Sequence, residues 1–320
     1  MLSITLPRSL AWTHKKTVAP APESLDCATQ SLCPRCLKVL PARLYERDGQ
    51  VFMLKTCPRH GTFDELISSD AAFFKKMRRT HYERPEGLDH PHTGFEKGCP
   101  HDCGLCQNHL SAPVMVNIDL TNRCNLNCPI CFANSNAQGY VCELTLEQVD
   151  KMLDDTLAIR PHPPYCVQFA GGEPTIHPDF IEIVRRAKAK GVRYVEVASN
   201  GLRFAHSLEF CQAASAAGLD QVYLQFDGTS DDVYLKTRGR ALLDTKLQAI
   251  QNIARAHMRT VLVPTVARGL NDHQVGRIVR FALENTDAIS AISWQPVSLT
   301  GRIDKARRRQ LRYTIADLAR

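Results

Sequence analysis

The chain has 320 residues, of which 44% are hydrophobic and 23% charged, with 17 glycines and 18 prolines. This composition excludes collagen-like, low-complexity and mostly disordered chains and is typical of a globular protein. The sequence has no run of roughly 18 uninterrupted apolar residues, as a membrane-spanning helix needs, and its first twenty residues lack an apolar signal core. We therefore expect a soluble, cytoplasmic protein.

The net charge of +7 arises from 40 Lys and Arg against 33 Asp and Glu. This mild excess favours anionic partners, but tandem aromatic and basic motifs are missing from the sequence, so no nucleic acid partner is expected. Part of the excess lies in the run from Lys305 to Arg312. A solvated helix face is the first interpretation of this run, and an anion-binding or membrane-surface patch is the alternative.

The chain contains thirteen cysteines. An odd number in a chain without an export signal argues against a disulfide framework and for metal ligation. Nine of them form three tight groups: Cys33, Cys36 and Cys57; Cys99, Cys103 and Cys106; Cys124, Cys128 and Cys131. We expect each group to mark a separate metal site.

The first group lies in a small module predicted over 25–85, after an N-terminal tail over 1–24. Two knuckles joined by a hairpin, with a short strand near 51–55, bring together Cys33, Cys36, Cys57 and His60. Four such ligands suit a tetrahedral Zn²⁺ or a rubredoxin-type iron. A module of this size lacks a self-sufficient core and needs a metal to staple it.

The second group lies in a linker predicted over 86–112. Cys99, Cys103 and Cys106 have the spacing of three thiolates that hold three irons of a cubane iron–sulfur cluster. The fourth ligand is open among His109, Cys142 and a residue outside this chain. A second zinc knuckle is the alternative interpretation.

From 113 to 302, β-rich runs alternate with helical stretches in units of about 31 residues, the size of a βα repeat. We predict strands over 114–120, 166–170, 193–199, 221–226, 260–266 and 289–295, and helices over 146–158, 178–190, 206–217, 242–256 and 272–284. The pattern indicates an α/β fold with parallel strands, as a barrel or an open sheet. A basic helix over 303–320 is expected to follow.

Two motifs directly follow the first two predicted strands. The third cysteine group comes after the first strand, where three thiolates would hold three irons and leave a fourth iron open to a substrate. Gly171, Gly172 and Glu173 end the second strand, where glycines permit close approach and the carboxylate can accept from an ammonium group. Both motifs therefore lie at the end of the sheet where α/β proteins bind ligands.

Together these motifs resemble the radical S-adenosylmethionine (SAM) superfamily over about 113–300. The resemblance implies a partial (β/α)6 barrel, a [4Fe–4S] cluster whose open iron binds SAM, and reductive cleavage of SAM to a 5′-deoxyadenosyl radical. Context assigns the SAM cluster to Cys124, Cys128 and Cys131, because this loop alone follows a strand and precedes the glycine motif. The Cys99 group is then an auxiliary cluster.

The resemblance also implies SAM contacts from Ser199 and Asn200 after the third strand and from Asp227 after the fourth. The family commonly has an aromatic residue before its third cysteine. This chain has Ile130 there, with Phe132 following the cysteine, so an aliphatic contact to the adenine is expected. The sequence assigns no catalytic residue.

The cysteine-rich N-terminal arrangement and the run from Gln295 to Arg302 resemble the tetraether lipid synthase group, whose members are also described as pterin methyltransferase-like. This resemblance implies C–C bond formation or methylation at unactivated carbon of a lipid or small molecule, with a flavodoxin- or ferredoxin-type reductant. That group usually continues beyond this length, so the chain is expected to be a fragment or a short homologue.

Two alternatives remain open. One is a peptide-modifying or cofactor-maturing radical enzyme, and the other is a non-catalytic iron–sulfur and zinc protein. An apolar cavity would favour a lipid substrate, whereas acidic and amide-rich walls would favour a peptide.

Overall fold

The computed structural model describes residues 25–79, 90–98, 101, 102, 104–107, 109, 112–137 and 139–320. The chain divides between 82 and 83 into two compact units, each considered separately. Within the described ranges, no helix combines the length and apolarity needed to cross a lipid bilayer.

The first unit is a four-stranded antiparallel sheet followed by one helix. Its elements are β1 (Cys27–Leu32), β2 (Val39–Arg47), β3 (Gln50–Cys57), β4 (Gly61–Ser68) and α1 (Ala71–Arg79), with strand order β1-β2-β3-β4. Only one short strand near 51–55 is predicted from sequence. The β2–β3 turn carries Asp48 and Gly49, both with positive φ, which matches the twist of tight hairpins. The buried apolar side chains of the first unit form only two small clusters among its described residues. A core this small needs a further source of stability, such as a bound metal ion.

The second unit contains a parallel six-stranded sheet with helices in the connections. Its strands are β5 (Met115–Thr121), β6 (Cys166–Gly171), β7 (Tyr194–Ser199), β8 (Gln221–Gln225), β9 (Arg259–Val263), β10 (Thr265–Val266), β11 (Ile289–Ile292) and β12 (Gln295–Pro296). The main sheet has the order β5-β6-β7-β8-β9-β11, with every pair parallel. This sequential order confirms the predicted (β/α)6 arrangement.

The helices of the second unit lie in the connections between the strands and after the last strand, and several contribute buried side chains to the main hydrophobic core. They are α2 (Leu146–Leu157), α3 (Phe180–Ala189), α4 (Leu202–His206), α5 (Leu208–Ala216), α6 (Asp231–Arg238), α7 (Leu243–Arg255), α8 (Val275–Glu284), α9 (Arg308–Leu311) and α10 (Ile315–Leu318), with single 3₁₀ turns at Pro174–Ile176, Asp272–Gln274 and Lys305–Arg307. A capping box formed by Thr145 and Gln148 opens α2, where the predicted helix over 146–158 begins.

Side chains alternate along the strands between the hydrophobic core and the barrel interior. On β5, Ile118 and Leu120 are buried in the main hydrophobic core, whereas Asn117 and Asp119 point to the opposite face and are exposed. Because successive strand residues face opposite sides, one sheet face packs against helices and the other lines the barrel interior.

The structure differs from the predicted strands at Pro264. The fifth predicted strand divides there into β9 and β10, and the sixth divides into β11 and β12. Pro264 has no N–H to donate, and its carbonyl accepts from the N–H of Gln295 at 3.0 Å. The two short strands β10 and β12 then pair with each other in parallel.

Several helices differ from those predicted. The helix over 206–217 is divided at Ser207, whose hydroxyl caps α5 by accepting from Phe210 N–H at 3.0 Å. The helix α6 was not predicted, although two aspartates in its first turn and Gly239 at its end are helix signals. The single basic helix over 303–320 is instead the two short helices α9 and α10, because Arg312 has extended backbone.

Candidate functional site

A cavity of about 1220 Å³ opens at the carboxyl ends of the barrel strands and reaches into the barrel. Single small-molecule sites usually occupy about 300–1,000 Å³, so this cavity has room for two ligands side by side. The predicted site residues on its lining are Cys124, Cys128, Ile130, Cys131, Phe132, Gly171, Gly172, Ser199 and Asn200. The fold therefore brings together residues that lie up to 76 positions apart in the sequence.

Asn136 holds the loop that carries the three cysteines. Its side-chain oxygen accepts from Cys124 N–H at 2.8 Å, and its amide donates to the carbonyls of Cys124 at 2.9 Å and Leu126 at 3.2 Å. Asn136 has a φ of 67°, a left-handed conformation that asparagine tolerates better than most residues. The sequence analysis missed this residue, for which the asparagine itself is the only signal.

The three thiols suit a polynuclear cation. Burial raises the pKa of Cys124 to about 11, and the nearby Glu173 carboxylate and the other two thiols act in the same direction. Three thiolates at this position therefore need positive charge between them, which cluster irons supply. The donor set and its opening into the cavity fit the expected [4Fe–4S] cluster.

The glycine motif packs directly against the cysteine loop. Gly172 N–H donates to Thr121 O at 2.7 Å, and Glu173 N–H donates to Arg123 O at 2.9 Å. A Cβ on Gly171 would lie 2.4 Å from the oxygen of Thr121, and one on Gly172 would lie 2.0 Å from the oxygen of Arg123. Both glycines are thus required by the close approach of two backbone segments.

Glu173 lies behind the cavity wall, with 0% exposure. Its carboxylate accepts from Thr175 Oγ1 at 2.5 Å, from Ser199 Oγ at 2.8 Å and from Asn200 N–H at 2.7 Å. Burial raises the pKa of Glu173, and these hydrogen bonds oppose the rise. The carboxylate joins the end of β6 to the end of β7 and so positions Ser199 and Asn200 on the lining.

Asp227 is also fully buried, and it clamps an arginine that lines the cavity. Its carboxylate accepts from Arg238 Nε at 2.5 Å and Nη2 at 2.9 Å, from Thr237 Oγ1 at 2.8 Å and from Thr265 N–H at 3.1 Å. Burial alone would raise the pKa of Asp227, but the Arg238 guanidinium and these donors hold it below its usual value. Arg238, which the sequence analysis missed, is therefore presented to the cavity as a fixed cation.

Lys246 on α7 is a second buried cation near the site. Its ammonium donates to the carbonyl of Asn200 and to Gln225 Oε1, the latter at 2.8 Å. Burial lowers the pKa of Lys246 to about 7, and the Arg238 charge acts in the same direction. An ammonium only donates, so Gln225 turns its oxygen toward Lys246. Gln225 Nε2 is buried without a hydrogen-bond partner among the described residues.

A distant segment clamps the cysteine loop. Arg302 N–H donates to Cys131 O at 2.9 Å, its Nη1 donates to Cys128 O at 2.9 Å, and its Nη2 donates to Ser135 O. A Cβ on Gly301 would lie 2.4 Å from Cys131 O. The run over 295–302, singled out in the sequence without a role, thus holds the loop backbone.

Arg302→Lys is expected to loosen this loop, because an ammonium cannot reproduce the two-pronged guanidinium contact. Loss of one charge-assisted hydrogen bond costs about 1.5 kcal/mol, so amide hydrogen exchange over 124–136 should accelerate roughly tenfold. Arg309→Lys, at an exposed position in α9, is the matched control and should leave the exchange rates unchanged. Equal exchange in both variants would contradict the clamp.

The two residues expected beside adenine occupy different surroundings. Ile130 is buried with Val297, Ile303 and other apolar residues of the C-terminal segment, yet it still reaches the cavity lining. Phe132 also lines the cavity and is 68% exposed. An aliphatic and an aromatic surface are therefore both available at this end of the cavity.

The second cysteine group is only partly described. Cys99 and Cys103 lie outside the described residues. Cys106 is buried, with its Sγ 4.0 Å from His109 Nδ1, and Cys142, the other candidate fourth ligand within the chain, is exposed. The auxiliary cluster stays a prediction.

The first unit holds a compact set of four metal ligands. The ligand atoms of Cys33, Cys36, Cys57 and His60 all lie within 4.8 Å of one another. The Sγ atoms of Cys36 and Cys57 are 3.8 Å apart, and His60 Nδ1 is 3.4 Å from Cys33 Sγ and 3.5 Å from Cys57 Sγ. Two sulfurs bound at about 2.3 Å to a tetrahedral Zn²⁺ are separated by about 3.8 Å. The geometry therefore fits zinc.

Two family models match the chain. The radical SAM superfamily model matches residues 118–282, and the "HMPTM N-terminal zinc ribbon domain" model matches residues 27–69. These ranges contain the candidate cluster loop and the four zinc ligands.

Curated relatives extend this likeness. The chain is 44% identical over 294 residues to 7,8-dihydro-6-hydroxymethylpterin dimethyltransferase of Methanocaldococcus jannaschii, covering 92% of this chain and 57% of that protein. It is 29% identical over 179 residues to a probable GTP 3',8-cyclase of Thermococcus kodakarensis, covering 55% of each chain. The chain thus spans just over half the length of these relatives.

Solved structures support the fold alone. SuiB of Streptococcus suis bound to its precursor peptide SuiA has a TM-score of 0.51 and 17% identity, over 63% of this chain and 45% of that one. HydG, a maturase of the [FeFe]-hydrogenase, has a TM-score of 0.50 and 16% identity, over 63% and 46%. With a superfamily model that matches more than half of its residues and a barrel that gathers three thiols at its mouth, this chain belongs to the radical SAM superfamily.

Proposed function

We propose that this chain methylates a carbon atom of a reduced pterin by radical SAM chemistry. The observation that carries the proposal is a group of amide and carboxylate side chains, Asn117, Asp119 and Gln168, on the otherwise mostly apolar wall of the cavity that also holds the three cluster thiols. The 44% identical relative is named for dimethylation of a dihydropterin, which supplies the substrate class. The tetraether lipid synthase resemblance offers lipid ends as the competing substrate.

The cofactors are assigned to specific residues in this proposal. Cys124, Cys128 and Cys131 ligate the [4Fe–4S] cluster, which, when bound, supplies the electron that cleaves SAM to a 5′-deoxyadenosyl radical. Gly171, Gly172, Ser199 and Asn200 contact SAM, and Ile130 and Phe132 flank its adenine. Glu173 and Asp227 act from behind the wall by orienting Asn200 and Arg238.

The floor of the barrel favours a polar substrate over a lipid. Asn117, Gln168, Glu196 and Gln221 are register partners on four successive strands and form a polar belt across the interior. Gln168 donates to Glu196, and Gln221 donates to the same carboxylate at 3.2 Å. A hydrocarbon chain placed over this belt would remove water from the exposed Asn117. It would offer no hydrogen bonds in place of those that the Asn117 amide makes to water.

Amide side chains on the wall also suit a peptide, and the relative's named substrate supports a pterin over a peptide. The peptide-binding likeness of SuiB is at 17% identity and bears on the fold alone. A pterin carries several ring donors and acceptors on a flat, rigid frame, and it suits a compact cavity better than an extended chain does.

Further roles complete the proposal. Cys99, Cys103 and Cys106 hold an auxiliary cluster, and a flavodoxin- or ferredoxin-type protein supplies the electron. A carrier that only transfers electrons would normally offer four protein ligands to its cluster, whereas the Cys124 loop offers three.

The test is anaerobic reconstitution followed by SAM, dithionite and 6-hydroxymethyl-7,8-dihydropterin, with mass spectrometry of the products. We expect 5′-deoxyadenosine and a pterin heavier by one or two methyl groups. Each methyl would come from a second SAM, which leaves as S-adenosylhomocysteine, and dithionite would supply two electrons for each C–H bond replaced by C–CH₃. Cys128→Ala should abolish both products. Cys211→Ser, at a buried α5 thiol that donates to backbone carbonyls, is the matched control and should retain them. Intact clusters without 5′-deoxyadenosine would overturn SAM cleavage, and nucleoside without methylated pterin would overturn the substrate.

A further inference from the structure

Asp119 is a carboxylate that faces the barrel cavity. It lies on the inward side of β5, two residues from Asn117, and it is exposed. Among the residues that the structure describes, no hydrogen bond or ion pair is found for its side chain, although it lines the cavity together with the three cluster thiols. An ionised carboxylate accepts hydrogen bonds only, so Asp119 requires a donor from a bound molecule or from water.

The cations nearby are already engaged. Arg238 is held by Asp227 through two hydrogen bonds, and Lys246 is held by Gln225 and Asn200. The other interior carboxylate, Glu196, is buried in the floor and receives hydrogen bonds from two glutamines. Asp119 is therefore left to recognise a ligand.

Small neighbours leave space in front of this carboxylate. Ala170 is its register partner on β6, and Ala198 lies on the next strand; both line the cavity. Gln168 and Asn117 border the same space and offer amide donors and acceptors. A flat ring can lie here with one edge against Asp119.

We propose that Asp119 recognises the aminopyrimidinone edge of the substrate, and this rests on the proposed pterin function. In a 2-amino-4-oxo ring the amino group and the adjacent ring N–H point in the same direction. A carboxylate accepts both in parallel, as it does from the fork of arginine. A ring with an oxo group in place of the amino group directs an acceptor at the carboxylate and is rejected.

The test compares 6-hydroxymethylpterin with 6-hydroxymethyllumazine, in which an oxo group replaces the amino group and the neighbouring ring N1 carries a hydrogen. Equilibrium dialysis with the reconstituted, SAM-loaded protein measures both dissociation constants. We expect the wild-type protein to bind the pterin at least tenfold more tightly. Asp119→Asn should remove or reverse that preference, because its amide can donate to the oxo group.

Asp155→Asn is the control, since this exposed carboxylate lies on α2 at the edge of the same cavity and pairs with Lys151. It should keep the wild-type preference. Gained lumazine binding by Asp119→Asn also shows that the variant is folded. An unchanged preference in Asp119→Asn would overturn the role of Asp119 alone. Failure of the wild-type protein to bind either ring would overturn the pterin function itself.

Discussion

Asp227→Asn is expected to lower the free energy of unfolding of the barrel by about 3–5 kcal/mol, because it leaves a buried arginine without its counter-charge. Asp227 is 0% exposed and the Arg238 side chain 10% exposed, and the two make a bidentate contact. The asparagine introduced at this position can still accept a hydrogen bond from Thr237 or Thr265, but it carries no charge. Urea denaturation followed by circular dichroism measures the change.

Acid should reduce the difference between this variant and the wild-type protein. The pKa of Asp227 is held below its usual 3.8 in the folded state, so the contribution of the pair is complete above the unfolded-state pKa and is lost as pH falls through the folded-state value. The two proteins should therefore begin to converge in stability below about pH 4 and become equal only below the folded-state pKa. A difference that stays constant into that range would contradict the ion pair as its source.

The matched control is Asp155→Asn, which removes an exposed pair. The side chains of Lys151 and Asp155 are 75% and 63% exposed, so solvent screens their interaction. We expect a change below about 0.5 kcal/mol. A large effect at both aspartates would indicate a general response to lost negative charge.

Gly172→Ala is expected to cost about 3 kcal/mol and to separate the cysteine loop from β6. The added Cβ would lie 2.0 Å from the carbonyl oxygen of Arg123, and backbone on both sides has little freedom to move. The hydrogen bond from Gly172 N–H to Thr121 O would break first. Thermal unfolding and amide exchange of this N–H are the measurements, and SAM affinity should fall with them.

Gly276→Ala is the matched control and is expected to stabilise the protein, because the space around this glycine is open. Gly276 lies in α8, and apart from its chain neighbours and the backbone of its own helix no atom lies within 4 Å of its ideal Cβ. Alanine there should stabilise the helix by about 0.5–1 kcal/mol, since glycine loses more backbone entropy on folding. If Gly172→Ala behaved like Gly276→Ala, the close packing of the two backbone segments would be refuted.

For the second unit, the sequence alone was sufficient for the order of the main strands and for the loop that carries the three cluster cysteines. The hydrophobic pattern predicted six strands and a helix that begins at Leu146, because this pattern is set by residues a few positions apart. The spacing of Cys124, Cys128 and Cys131 predicted the cluster loop, since three thiols this close in sequence can reach one metal cluster. The four zinc ligands were predicted because they form two closely spaced pairs, Cys33 with Cys36 and Cys57 with His60, joined by a hairpin.

Tertiary structure decided how these groups are held. Arg238, Lys246 and Arg302 reach the site from helices and a C-terminal segment that are distant in sequence, and no local pattern distinguishes an arginine that meets Asp227 from one on a solvated helix face. The same is true of Glu173, whose burial behind the wall depends on Ser199 and Asn200 of the next strand. Spacing in sequence determines which ligands share a loop, whereas long-range packing determines which charges face the cavity and which support it from behind.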